Sequence, residues 1–257
     1  MSTINKLIAL LACVTLILGC LVSCLGDTPD VGGEEPQSDK YVANIRIKYA
    51  TNDAKMKAAI DALSTTSTLT VVGETLKLVT TASVDDISAQ NEYIYIDEVL
   101  YQSRSVKISD KSVTVLERAT IGAEQRDSLI SKAGPGAGIS IGDFLNFEIN
   151  TYDDITEYVC SDMLDDSKES LRQIIAESFE GMGAIVMIDS ASYRVEIKND
   201  RNQSSVLSCN LVINMDGVDY EVTMHLYYDY DYDAEISISV PENADVYTEV
   251  SADEIIG

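Results

Sequence analysis

Asp229, Asp231 and Asp233 alternate with tyrosines, and Ile236 follows where a calcium-binding helix–loop–helix wants its apolar residue. The remaining ligands break that chemistry: Ala234 replaces the sharp-turn glycine, and Val240 replaces the bidentate glutamate of the twelfth position. Three carboxylates sharing one face of a strand read instead as a solvated face that discourages edge-to-edge pairing. Gly134-Pro135-Gly136-Ala137-Gly138 with Gly142 is rich in glycine, but it lacks the Lys-Ser/Thr pair of a phosphate cradle and reads as a loop. His225 is the single histidine, set on the wet side of a strand pattern with no second imidazole for company. The pairs Asp85-Asp86 and Asp153-Asp154 carry no specificity in so acidic a chain, and no nucleophile has a plausible base beside it. The expected protein is non-catalytic, with neither metal nor cofactor.

The elements that would position any site follow from composition and alternation. The 257 residues allow one β-rich domain or two small ones, and 46% apolar content suffices for a core. A net charge of −25 opposes nucleic-acid binding, since every phosphate contact would work against the protein's own field. From Ser205 onward the period is two. Leu207, Cys209, Leu211, Ile213 and Met215 form one side, Asp216-Gly217 supplies a two-residue hairpin turn, and Val218, Tyr220, Val222, Met224, Leu226, Tyr228 and Tyr230 continue the dry side. Tyr193–Lys198 adds a strand upstream. Ile236, Ile238 and Val240 predict another, ended by Pro241, to make a meander of at least four strands.

The first half repeats this style at Tyr41–Tyr49, Thr68–Val72, Leu76–Thr81, Glu92–Asp97, Val99–Ile108 and Ser112–Arg118. Phe144–Ile149 and Glu157–Cys160 lead into the second half. Helical spacing interrupts three times. Asp53–Leu63 aligns Met56, Ile60 and Leu63; Glu124–Lys132 is a short candidate; Asp166–Phe179 aligns Leu171, Ile174, Ile175 and Phe179, with Asp166 as N-cap and Gly181 as stop. Docking four such apolar residues contributes roughly 6–12 kcal/mol, an upper estimate. The fold class is α+β: a long curved antiparallel sheet, an unclosed β-barrel, with about three helices on its concave face, forming a single domain over 41–257.

The dry face of the last two long strands is the candidate site. Leu211, Ile213, Met215, Tyr220, Val222, Met224, Leu226 and Tyr228 read either as core or as the lining of a hydrophobic ligand cavity. Methionine adapts to varied shapes, and tyrosine offers an apolar ring with a polar rim.

The N-terminus is an export segment. After Lys6 no charge occurs from Leu7 to Gly26, the pattern of a secretory signal and also long enough to span a bilayer as a signal anchor. Leu21-Val22-Ser23-Cys24 resembles the bacterial lipoprotein lipobox, better than Ile17-Leu18-Gly19-Cys20 does. The resemblance implies a signal peptide over 1–23, cleavage before Cys24 and a diacylglyceryl thioether on Cys24. Residues 24–40 then carry the lipidated cysteine and an acidic tether holding Pro29, Gly32, Gly33, Glu34, Glu35 and Pro36. As a flexible coil its last 16 residues reach about 20–24 Å. Export also permits a disulfide between Cys160 and Cys209. Cys209 on an apolar strand face equally suits a free thiol, so both states stand open.

Tyr193-Arg-Val-Glu-Ile-Lys, Leu211-Val-Ile-Asn-Met-Asp-Gly, Tyr220-Glu-Val-Thr-Met-His-Leu and Ile236-Ser-Ile-Ser-Val-Pro-Glu-Asn-Ala-Asp, with Asp97-Glu-Val-Leu-Tyr earlier, resemble the LolA/LppX-like bacterial lipoproteins. That resemblance implies a half-barrel lidded by helices that holds lipid or acyl chains. The expectation is a lipoprotein of the cell membrane, anchored on its extracellular or periplasmic side, with a lipid or lipoprotein cargo and no nucleic acid. The alternative is a structural or protein-interaction module of the envelope with a filled core. Cleavage would remove one lysine and no acid, leaving −26 on the mature chain. An anionic membrane repels such a body, so attachment would rest on the acyl chains.

Overall fold

The computed structural model describes residues 40–123, 125, 126, 139–179 and 182–256. Cys24, the signal segment, nearly all of the tether, most of the helix expected at Glu124–Lys132, the glycine run 134–138 and Gly181 lie outside the described residues.

Two meanders build one sheet. The first comprises β1 (Lys40–Ala50), β2 (Thr65–Val72), β3 (Thr75–Val84), β4 (Ile87–Ile96), β5 (Val99–Ile108) and β6 (Lys111–Thr120). The second comprises β7 (Phe144–Tyr152), β8 (Ile155–Met163), β9 (Ile185–Lys198), β10 (Arg201–Met215) and β11 (Val218–Asp231). A two-residue β12 (Thr248–Glu249) joins β6 in parallel. The order β12-β6-β5-β4-β3-β2-β1-β11-β10-β9-β8-β7 shows how the meanders fuse: β1 pairs antiparallel with β11, Ile45 facing Tyr228 and Ala43 facing Tyr230. The result is α+β, a long open curved sheet with helices on its concave face.

Turn chemistry explains why the strands are so regular. Gly73-Glu74, Asp85-Asp86, Asp97-Glu98, Ser109-Asp110, Asp153-Asp154, Asn199-Asp200 and Asp216-Gly217 are all two-residue hairpin connections, each led by a residue of positive φ. Aspartate and asparagine tolerate the left-handed region because their short side chains bond locally. The acidic pairs of the sequence are therefore largely turns. At Asp216-Gly217 both residues have positive φ, 54° and 78°, as the favoured hairpin twist demands.

Three α-helices with described bounds lie on the concave face. α1 (Ala54–Ile60) is capped by Asp53, whose Oδ1 accepts from the amides of Lys55 at 2.8 Å and Met56 at 2.9 Å. A 3-10 turn continues it to Leu63, so Met56, Ile60 and Leu63 are all buried as their spacing predicts. α2 (Asp165–Phe179) buries Leu171, Ile175 and Phe179 and leaves Ile174 half-buried. It begins at Asp165, so Asp166 lies inside the first turn, where its carboxylate favours the helix macrodipole but is not the cap. α3 (Ala252–Ile256), too short for a periodic signal, lies against β6 and seats Ile255 in the cluster built by β1–β6 and β11.

The strand expected at Ile236–Val240 is absent. Those residues form no ladder; they run along the outer face, where Ile238 packs with Ile94, Tyr101 and Tyr247. Alternation there records one side lying on a sheet surface, which needs no strand partner. The chain then reaches β12 at the β6 edge and rounds it to place α3 on the inner face.

Candidate binding site on the inner sheet face

Register alone fixes which side chains share the concave face. Across the sheet the row Cys160–Tyr193–Leu207–Leu226–Ile47 leads from β8 to β1, and Ser205–Tyr228–Ile45–Ser67–Thr80–Asn91–Arg104–Val115 continues one row over from β10 to β6. Of the eight residues expected to line a cavity, Leu211, Ile213, Val222, Met224 and Tyr228 are buried, while Met215, Tyr220 and Leu226 are half-buried. All except Tyr228 pack in one cluster with α1 and α2. Tyr228 belongs to a second cluster shared with β2–β5 and α3.

The two halves of the face differ in kind. The β8–β11 half is apolar under α1 and α2, with Met56, Phe179 and Ile213 fully enclosed. The β2–β6 half carries a polar belt. Ser67 and Thr80 hydroxyls bond at 2.9 Å. Gln102 donates through Nε2 to Asn91 Oδ1 at 3.2 Å and to the Tyr93 hydroxyl at 2.5 Å, which also accepts from Asn91 Nδ2 at 3.1 Å. Arg104 pairs with Glu117 at the outer end of this belt. Burial pushes the Tyr93 phenol up to about 12, so it stays a neutral partner. Sequence alternation found these strands but not the belt, because Asn91 and Gln102 become neighbours only through the β4–β5 register.

Both rims of the half-barrel expose apolar side chains on this same face. At the β6 rim stand Val113, 69% exposed, and Val115. At the β7 rim stand Phe147 and Ile149, the latter 55% exposed, opposite Cys160 and Tyr158. The connection 121–143 runs from one rim strand to the other, its described ends seating Ile121 in the β2–β5 cluster and Ile139 in the helix-covered cluster. These rim residues were missed at the level of sequence. Their period-two signal is plain, but only the β1–β11 pairing makes β6 and β7 the margins.

The other candidates resolve into local structure. Asp229 lies on the outer face and pairs with Arg46 at 2.7 Å, while Asp231 accepts from the Asp233 amide at 3.0 Å, so the three carboxylates do not converge. No group of three potential metal ligands exists among the described residues. His225, also on the outer face, bonds Ser208 Oγ through Nδ1 at 2.9 Å. Cys160 and Cys209 are free thiols on strands separated by β9. Burial raises both, Cys209 to about 12, which keeps them protonated and unreactive. A groove of about 620 Å³ on the outer side of β2–β6 is lined by solvated hydroxyls such as Thr81, Ser88 and Thr114, with Lys48 and Lys107.

Fold and site together define an α+β protein with an open antiparallel sheet and a helix-covered apolar face. Among known proteins, no family model matches the chain and no curated protein is significantly similar to it. No helix among the described residues is long and apolar enough to cross a membrane.

Proposed function

We propose that this protein is a lipid-anchored, non-catalytic protein of the cell envelope that binds a lipid or other hydrophobic ligand against the concave face of its half-barrel. The observation that carries the reading is the set of apolar side chains, Val113, Val115, Phe147 and Ile149, left exposed on the inner face at the β6 and β7 ends of the sheet. Exposed apolar side chains gathered on one sheet face mark a binding surface more than scattered surface residues do. The polar belt supports it further, since ligand hollows are mostly apolar with a few placed polar groups. The resemblance of Leu21–Cys24 to a lipobox, and of the β9–β11 strands to LolA/LppX-like lipoproteins, points the same way. A covalent anchor with an acidic tether would hold such a domain beside its membrane source of ligand.

A second reading has its own observation. The β10–β11 side chains are well packed beneath α1 and α2, as a purely structural or protein-interaction module with a filled core requires. A fluorescent fatty-acid probe separates the two. Saturable binding, weakened several-fold by Phe147→Asp and Val115→Asp at the rims, is the result expected of a ligand hollow. No saturable uptake by the folded protein, together with recovery of a specific envelope protein on pull-down, is the result expected of the interaction module.

A further inference from the structure

The concave face holds two buried hydroxyls that no hydrogen bond satisfies. Tyr228 is 3% exposed and Tyr230 is 9% exposed, and neither phenol oxygen has a partner among the described residues. Buried polar groups are almost always paired, because burial removes their water and nothing replaces it. Side chains two apart on one strand face the same way, and these rings stack in parallel, centroids 6.3 Å apart and planes 5° apart. The hydroxyls therefore sit side by side. Their neighbour Tyr193, buried in the same face, bonds the Ser205 side chain, so a tyrosine here finds a protein partner where one is offered.

The surroundings narrow what these two donors suit. Burial raises both phenols far above the ordinary tyrosine value. The groups acting electrostatically on Tyr230 are the phenols of Tyr228, Tyr193, Tyr232 and Tyr41, and on Tyr228 that of Tyr193. Among the described residues no cation acts on either phenol, so the pair are neutral O–H donors. A carboxylate or phosphate buried there would lack a counter-charge, at a large desolvation cost. A neutral acceptor oxygen carries no such cost.

We propose that Tyr228 and Tyr230 form the polar end of the hydrophobic site and donate to the carbonyl oxygens of a neutral ester lipid of the acylglycerol class. This rests on the reading that the hollow takes a hydrophobic ligand, and it adds the head-group chemistry. The acyl chain lies along the apolar face, and the ester group is fixed by the two phenols.

The test uses the purified full chain, freed of endogenous lipid, with N-phenyl-1-naphthylamine as an apolar reporter displaced by 1-oleoylglycerol or by oleate at pH 8. Wild-type protein binds the reporter and prefers the ester over the carboxylate by roughly tenfold or more, the difference an uncompensated buried charge makes. The Tyr228→Phe/Tyr230→Phe double variant still binds the reporter, and its unfolding midpoint is unchanged or raised. It loses roughly ten- to fiftyfold in affinity for 1-oleoylglycerol, the effect of two hydrogen bonds, while oleate shifts less than about threefold. Unchanged ester affinity in a folded double variant, or a wild-type preference for oleate, overturns the head-group proposal and leaves the hollow standing. Failure of the folded wild type to bind the reporter overturns the hydrophobic-ligand reading and this proposal with it.

Discussion

Truncating Phe179 to alanine lowers the unfolding free energy by about 3–5 kcal/mol, the range for removing an enclosed aromatic ring from a core. Phe179 is fully buried at the end of α2, and its ring meets Tyr49 of β1 edge-on, with centroids 5.7 Å apart and planes at 89°. It therefore joins the helix that covers the second meander to the first strand of the first meander. The loss combines the apolar area returned to water with the cavity left where the ring stood, because neither α2 nor the sheet can close on it fully. Urea unfolding of the variant beside wild type measures it as a lowered midpoint. A loss below about 1 kcal/mol would mean that α2 is not seated on the sheet as described, since an exposed phenylalanine costs little to remove.

The second large effect concerns attachment. If the chain is the lipoprotein proposed above, the expected results are that Cys24→Ala abolishes incorporation of labelled palmitate and that the intact mass of the wild-type chain corresponds to loss of residues 1–23 with an acylated Cys24. Each buried methylene contributes about 0.8 kcal/mol, and two chains suffice for stable anchoring. The acidic body contributes repulsion, so no electrostatic attraction stands in for the lost acyl chains. A wild-type chain that retains Met1 and an unmodified Cys24 would replace the lipoprotein reading with an uncleaved signal anchor spanning Leu7–Gly26.

Much of the fold is legible in the residues. Val99–Ile108 is a strand with the bounds its alternation predicts, and the Asp216-Gly217 hairpin joins the two long strands expected on either side. Met56, Ile60 and Leu63 are buried on one stripe as their spacing requires. What escaped was set by contacts distant in sequence. Pairing of β1 with β11 decides that β7 is one margin and that β6, joined on its far side only by the two-residue β12, lies at the other, and no local pattern records it. Ile236, Ile238 and Val240 alternate like a strand because they lie on a sheet, and alternation reports a buried side whether or not a ladder forms. Asp85-Asp86 and Asp153-Asp154 looked like paired carboxylates, and they are the left-handed turns that keep the meander tight.

For the site, the sequence marked side chains that share one sheet face, and it could not record which of them the helices cover. The β10–β11 residues lie on the concave side, but helices cover most of them, and exposed apolar surface appears instead at Val113, Val115, Phe147 and Ile149. Tyr228 is where the two views meet. It was marked as part of an apolar lining, and its distinction is a buried hydroxyl without a partner.

Native mass spectrometry of the full chain, released from the expressing cells in mild detergent, tests the central claim most directly. A ligand-binding half-barrel gives, beside the ligand-free chain, a second set of peaks heavier by the mass of one acyl-bearing lipid. Those peaks dissociate on collisional activation and diminish in a Phe147→Asp/Val115→Asp variant. A single bare species under the same gentle conditions, from protein that also refuses an apolar probe, would contradict the claim and leave the domain as a filled structural module.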